Sequence, residues 1–146
     1  MRLVLDTNVV LDLFHFADPS VQPILAALEG GTAACWVEDA GLDELARVLT
    51  YPELRIAPKA ATDILARYRR MARHPEADNQ PLPRLPICKD PDDQKFLELA
   101  ARVGADLLIS KDKALLALTR SQGLSFRIAT PAEASAALTS KPPLCR

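Results

Sequence analysis

The feature that most constrains the fold is a short apolar run near the start of the chain that ends in a carboxylate. Leu3, Val4 and Leu5 follow one another without a polar break, which is typical of a strand buried on both faces of a parallel sheet. Asp6 ends this run, and a helical pattern of apolar residues begins shortly after it. Because a lone buried charge costs free energy, an acid at this place requires hydrogen-bond donors or a cation. The opening therefore predicts an α/β protein with a functional acid where its first strand ends.

The rest of the chain repeats this alternation of strand and helix. Further strands are predicted over residues 33–37, 107–109 and 126–128, with a brief edge strand over 85–88. The longest predicted helix runs from Pro58 to about Arg73, and Pro91 begins another. The alternation predicts a three-layer α/β sandwich around a central parallel sheet of four to five strands.

Length and composition restrict the class of protein. The 146 residues are enough for one domain, which we expect over residues 1–140, with a frayed tail over 141–146. A net charge of −1 excludes a strongly basic nucleic-acid binder but allows a local basic patch. The 3 cysteines have no pattern that indicates a disulfide framework or a zinc site. Because the sequence shows neither a signal peptide nor a membrane-spanning stretch, we expect a cytoplasmic protein.

Four acids occupy positions that this fold would bring to one edge of the sheet. Asp6 ends the first strand, Glu44 lies in the helix after the second, Asp93 begins a later helix, and Asp112 follows the strand over 107–109. Clustered carboxylates repel one another unless a divalent cation neutralises them, and Mg²⁺ or Mn²⁺ suits oxygen ligands. Such a centre is suited to the hydrolysis of phosphodiester bonds.

Each acid also has an ordinary structural explanation. Asp93 closes an Asp-Pro-Asp-Asp sequence that is typical of a helix start, where the helix dipole favours acids. Asp112 is an equally good candidate to cap the helix that follows its strand, and Glu44 is at a position typical of a solvated helix residue. Asp6 is the hardest to explain in this way, because it follows a buried strand.

Four motifs and a closing segment stand in order along the chain: Val4–Asn8, Leu42–Leu49, Asp90–Leu97, Leu108–Asp112 and Ala129–Glu133. This set resembles the PIN-domain family, small metal-dependent ribonucleases best known as the VapC-type toxins of bacterial toxin–antitoxin pairs. The closing segment is similar to that of a subgroup assigned to such toxins. The resemblance spans nearly the whole chain and places the family's four acids at Asp6, Glu44, Asp93 and Asp112.

The resemblance implies an endoribonuclease that cleaves RNA, pairs with a small antitoxin protein and forms a homodimer. We hypothesise that the four acids hold one or two Mg²⁺ or Mn²⁺ ions, directly or through water. An activated water then attacks the scissile phosphorus. The resemblance to the family implies that the products carry a 5′-phosphate and a 3′-hydroxyl. Asn8 and Ser110 are expected to orient ligands and waters. Candidate residues for weak RNA binding flank the acids: Arg47, Lys89, Lys111 and Lys113.

Departures from the family pattern leave an alternative open. The family often has a further acid two residues after the fourth, where this chain has Ala114. It often has a small hydroxyl residue at the start of the helix that carries Glu44, where this chain has Glu38 or Asp39. Asp43 and Asp90 lie close to Glu44 and Asp93, and a shift in register would put them in place of these two acids. A weakened metal site would leave a PIN-like module that binds RNA or protein without cleavage. A phosphatase of the haloacid-dehalogenase type is disfavoured, since the Asp-Thr-Asn opening lacks its second acid.

Overall fold

Strands and helices alternate along the parts of the chain that the computed structural model describes, residues 1–76, 80–121 and 123–139. The strands are β1 (Arg2–Leu5), β2 (Ala34–Trp36), β3 (Leu107–Ile109) and β4 (Arg127–Ala129). The helices are α1 (Thr7–Phe14), α2 (Gln22–Gly30), α3 (Asp39–Val48), α4 (Pro58–Met71), α5 (Gln94–Val103), α6 (Lys113–Leu116) and α7 (Pro131–Thr139). None of these helices combines the length and the apolar character that crossing a membrane requires. The single domain over 1–140 stays a prediction, and the expected tail over 141–146 lies outside the described residues.

The four strands form one parallel sheet in the order β2-β1-β3-β4. Strand β1 is central, with Leu3 opposite Cys35 on one side and opposite Leu107 on the other. Because all four strands run in the same direction, their carboxyl ends share one edge of the sheet. Asp6 and Ser110 follow β1 and β3 directly, so both lie at this edge. The predicted α/β fold around a parallel sheet is confirmed.

Helices cover both faces of the sheet and complete three layers. Leu3 and Leu5 of β1 belong to one cluster of buried side chains, which includes residues of α1 to α4 and of α7. Val4 points to the opposite face and belongs to a second cluster with residues of α5 and α6. Full burial of such a side chain stabilises the fold by about 2 kcal/mol. Burial on both faces explains why the opening run is apolar without interruption.

The expected edge strand over residues 85–88 is wrong, because the structure has no strand there. Pro83 and Pro86 have no N–H group for a sheet ladder. The N–H of Cys88 instead donates to Oε1 of Gln94 (2.7 Å), and Nε2 of Gln94 donates to the carbonyl of Pro86 (3.1 Å). Gln94 therefore ties this extended segment to the start of α5 and takes up hydrogen bonds that a strand would have used.

Two helix boundaries also differ from the prediction. Helix α4 ends at Met71, because the backbone of Arg73 extends β2 by one bridge: its N–H donates to Cys35 (2.8 Å) and its carbonyl accepts from Val37 (2.9 Å). The helix expected from Pro91 begins as a 3₁₀ turn over Pro91–Asp93, and the regular α-helix α5 starts at Gln94. This turn sets the position of Asp93 relative to the sheet edge.

Candidate metal centre

Asp6 is held at the carboxyl end of β1 with 3% of its surface exposed. Its backbone N–H donates to the carbonyl of Ile109 (3.0 Å), which continues the pairing of β1 with β3. Its side-chain Oδ2 accepts a hydrogen bond from Oγ of Ser110 (2.7 Å). Although Asp6 precedes α1, its side chain does not cap that helix. The carboxylate is therefore fixed across the sheet edge and is not used as a helix cap.

Ser110 connects two of the predicted acids. It is completely buried, and its Oγ donates to Asp6 while accepting the backbone N–H of Asp112 (2.9 Å). Because the serine follows β3 directly, the strand sets its position and the serine in turn orients the loop that carries Asp112. Asn8, the other residue expected to orient ligands, is exposed in the first turn of α1.

Asp93 and Asp112 reach the same place from two helix starts. Oδ1 of Asp112 accepts a hydrogen bond from the N–H of Ala114 (2.8 Å), so Asp112 caps α6, which is the ordinary structural role expected for it. Capping before α5 is done by Asp90, whose Oδ1 accepts the N–H of Asp92 (3.0 Å). Asp93 is 6% exposed, and its buried Oδ2 has no hydrogen-bond partner among the described residues. A role as helix cap therefore does not account for Asp93.

The carboxylates of Asp6, Asp93 and Asp112 converge at this edge of the sheet. One oxygen from each lies within 4.8 Å of the others. Asp6 and Asp93 are buried and Asp112 is half-buried, so water screens their mutual repulsion poorly. Together they present a concentrated negative charge at the place where the loops after β1 and β3 meet the start of α5.

The electrostatics of this cluster raise the pKa of two of its acids in the absence of a cation. Burial raises the pKa of Asp93 to about 8, assisted by a hydrogen bond with the side chain of Asp112 and by the charges of Asp6 and Asp112. Burial also raises the pKa of Asp6, although the hydrogen bond from Ser110 opposes the shift; the charge of Glu44 adds to it. A positive ion bound among these groups would favour their ionised forms instead.

The residues present fit a hard divalent cation. All three side chains offer carboxylate oxygens, which Mg²⁺ and Mn²⁺ prefer over softer ligands. A buried oxygen without a hydrogen-bond partner, such as Oδ2 of Asp93, costs about 1–3 kcal/mol. A bound ion would remove this cost and the repulsion together, which is the combination expected of a metal centre.

Glu44 lies beside this cluster but is engaged differently. Its Oε1 accepts a hydrogen bond from Nζ of Lys95 (2.6 Å), and its Oε2 accepts one from Oγ1 of Thr7. Its charge still raises the pKa of Asp6, so the two carboxylates share one electrostatic environment. The structure thus brings three of the four predicted acids together and holds Glu44 in an adjoining network.

Thr7 and Lys95, the two residues that hold Glu44, were not among the residues predicted from the sequence. Each lies within two positions of a predicted acid: Thr7 follows Asp6, and Lys95 is two residues beyond Asp93. That proximity was the available signal. The choice of Glu44 as their common partner depends on the packing of α3 against α5, which no local pattern shows.

The candidate RNA-binding residues lie at the surface: Arg47, Lys89, Lys111 and Lys113. Lys111 is also committed to an ion pair, because its Nζ lies 2.6 Å from Oδ2 of Asp12. Asp12 is a buried acid in α1 that the sequence analysis did not single out, although its place between two leucines indicates burial. The ion pair ties the loop after β3 to α1 and so supports the position of the cluster.

Comparison with known proteins agrees with this architecture. A family model described as PIN domain matches residues 2–114, a range that includes all four predicted acids. No curated protein and no solved structure matches the chain. PIN domains are generally metal-dependent nucleases, in keeping with the cluster of buried acids. The match covers most of the sequence, and the chain belongs to the PIN-domain family.

Proposed function

We propose that the chain is a metal-dependent endoribonuclease that hydrolyses phosphodiester bonds in RNA. The observation that carries the proposal is the convergence of Asp6, Asp93 and Asp112, with Oδ2 of Asp93 buried and unpartnered. These three residues would hold Mg²⁺ or Mn²⁺. When bound, such an ion supplies positive charge that acidifies water and offsets the negative charge that develops on phosphorus. Membership of the PIN-domain family supports the same activity.

The chain's own residues prepare this site before the ion arrives. Ser110 fixes the carboxylate of Asp6 through Oδ2 and holds the backbone of Asp112, so two of the three acids need little rearrangement. Asp93 carries a proton below about pH 8 and releases it when its carboxylate becomes a ligand. Asn8, exposed at the start of α1, is proposed to orient waters at the rim.

Binding of a polyanion requires positive charge near the cluster. Lys89 and Lys113 are exposed close in sequence to Asp93 and Asp112, and Arg47 lies beyond Glu44 on α3. We propose that these residues contact phosphates weakly and without preference for sequence. Lys111 contributes less, since its ammonium is paired with a buried carboxylate of α1.

The activity is tested with a single-stranded RNA labelled at one end. The purified chain should cleave it when Mg²⁺ or Mn²⁺ is present and not in EDTA, and new ends should carry a 5′-phosphate. Asp6→Asn and Asp93→Asn should each lower kcat/KM by more than about tenfold, because each removes a ligand. Asp92→Asn, which removes an exposed carboxylate from the same turn as Asp93, is the matched control. Undiminished cleavage by both site variants would refute the proposal.

A second candidate follows from Ala114, which stands where the family pattern often has a further acid. Its N–H is used by Asp112, but its side chain contributes no ligand. A metal site weakened in this way favours a module that binds RNA or a protein without cutting it. The same assay separates the two functions: ion binding and RNA binding without any product would favour the module over the enzyme.

We also propose that the chain is the toxin of a toxin–antitoxin pair, acting in the cytoplasm as a homodimer. The support is the resemblance of its ordered motifs, and of the closing segment Ala129–Glu133, to VapC-type toxins. Expression of the chain should arrest growth, and Asp93→Asn should relieve the arrest. A neighbouring gene for a small DNA-binding protein that restores growth would support the pairing. Growth unaffected by the wild-type chain, or a monomer in solution by light scattering, would count against the respective part.

A further inference from the structure

The Lys95–Glu44 ion pair occupies the position next to the acidic cluster where the fourth acid was expected to bind metal. Both oxygens of Glu44 already accept hydrogen bonds, Oε1 from Nζ of Lys95 at 2.6 Å and Oε2 from the hydroxyl of Thr7. This contrasts with Asp93, whose Oδ2 is buried without a partner. The two acids therefore differ in what they offer to an ion: Oδ2 of Asp93 carries no hydrogen bond, whereas both oxygens of Glu44 already have a donor, and one of these donors is an ammonium whose positive charge repels a further cation.

The ammonium of Lys95 is held on several sides. Besides Glu44, it donates to the backbone carbonyl of Asp92, and it lies 5.0 Å from the centre of the Phe96 ring. The side chains of Lys95 and Glu44 are 25% and 13% exposed, so the pair is largely withdrawn from water. Three contacts of different kinds fix one positive charge beside Glu44, which makes its displacement by a hydrated cation unfavourable.

We infer that the Lys95 ammonium takes the place that a second divalent cation would have at Glu44. On this inference, which rests on the proposed metal-dependent function, the centre binds one ion through Asp6, Asp93 and Asp112. Glu44 is then a positioning residue, which holds Lys95 and Thr7 and is not a ligand. One divalent ion and one ammonium together offset three of the four negative charges of the ionised acids.

The inference is tested by counting Mn²⁺ ions per chain, with electron paramagnetic resonance for free Mn²⁺ and titration calorimetry for affinity. The wild-type chain should bind one ion. Lys95→Met should bind a second, because it leaves the carboxylate of Glu44 without its cation. The double variant Glu44→Gln with Lys95→Met removes both charges of the pair, so it should return to one ion with an affinity within about threefold of wild type. Lys59→Met, which removes an exposed positive charge from the first turn of α4, should bind one ion.

Several results would overturn the inference. Two Mn²⁺ ions in the wild-type chain would overturn it, and so would one ion in a folded Lys95→Met variant. A loss of more than about tenfold in the Mn²⁺ affinity of the double variant would also overturn it, because that loss would make Glu44 a ligand. Circular dichroism establishes whether each variant folds; if Lys95→Met does not, the wild-type count and the double variant decide. Failure of the proposed function is a separate result, because labelled RNA would then stay intact in Mn²⁺ even where the ion counts are those expected here.

Discussion

The metal-free protein is expected to lose stability as pH rises, and Asp93 is the main cause. Burial raises the pKa of Asp93 from 3.8 to about 8 in the folded chain, whereas the unfolded chain releases the proton at the ordinary value. Between these two values the folded chain binds a proton that the unfolded chain does not, so the free energy of unfolding falls with increasing pH. Asp93→Asn removes this titration. An asparagine can still donate a hydrogen bond to Asp112, as the protonated acid does.

The size of the effect follows from the difference between the two pKa values of Asp93. Each unit corresponds to about 1.4 kcal/mol, and most of the interval from 3.8 to about 8 lies between pH 5 and pH 8. Metal-free wild type should therefore lose up to about 4 kcal/mol of stability over that range. This is a large share of the roughly 5–15 kcal/mol that stabilises an ordinary domain. Asp93→Asn should retain a smaller slope, because burial raises the pKa of Asp6 as well.

Urea denaturation in EDTA at pH 5, 6.5 and 8 measures these differences. The wild-type and Asp93→Asn curves should lie closest at pH 5 and separate toward pH 8, where the variant is more stable. Asp92→Asn changes an exposed carboxylate in the same turn and should follow wild type within about 0.5 kcal/mol. Addition of Mn²⁺ at pH 8 should stabilise wild type but not Asp93→Asn. A wild-type curve as flat as that of the variant would refute the account of a buried, proton-binding Asp93.

Three further changes have distinct expected outcomes. Ser110→Ala removes the hydrogen bond that opposes the raised pKa of Asp6, so calorimetry should show the midpoint of Mn²⁺ binding shifted to higher pH; an unchanged midpoint would contradict this. Asp112→Ala removes the side chain that caps α6 at the N–H of Ala114, so urea denaturation should show the free energy of unfolding lowered by about 1 kcal/mol. Asp112→Asn should keep the cap, and equal losses in the two variants would argue against a capping role. Lys113→Gln should reduce the slope of log RNA affinity against log salt by about one in fluorescence anisotropy, and an unaltered slope would exclude a phosphate contact.

The acids at the sheet edge were predictable because strand and helix patterns fix the end of each strand. An apolar run buried on both faces must stop where polar groups can be satisfied, and in a parallel sheet these ends share one edge. This reasoning placed Asp6 and Asp112 correctly at the carboxyl ends of β1 and β3. It was less decisive for Asp93, whose sequence context is that of a helix start. The structure separates the role of helix cap from that of site residue: Asp90 forms the capping hydrogen bond, and Asp93 forms none.

Contacts between elements distant in sequence could not be predicted. Glu44 and Lys95 are 51 residues apart, and their ion pair depends on how α3 and α5 pack across the sheet edge. The proposed strand over 85–88 failed for a related reason. Its apolar residues fit a strand, but the side chain of Gln94 bonds the backbone there, and a side chain that reaches back to an earlier segment leaves no periodic signal. The periodicity of apolar residues therefore located the strands and helices, whereas contacts of polar side chains between distant segments, which this periodicity does not show, determined the details of the site.

The central claim is that Asp6, Asp93 and Asp112 share one divalent ion at the carboxyl edge of the sheet. Anomalous diffraction from crystals grown with Mn²⁺ tests it most directly, because the signal locates the metal without reference to activity. The account predicts a single peak in bonding contact with a carboxylate oxygen of each of the three residues, with Lys95 still paired to Glu44. A peak bound elsewhere, or no peak at this edge at saturating Mn²⁺, would contradict it.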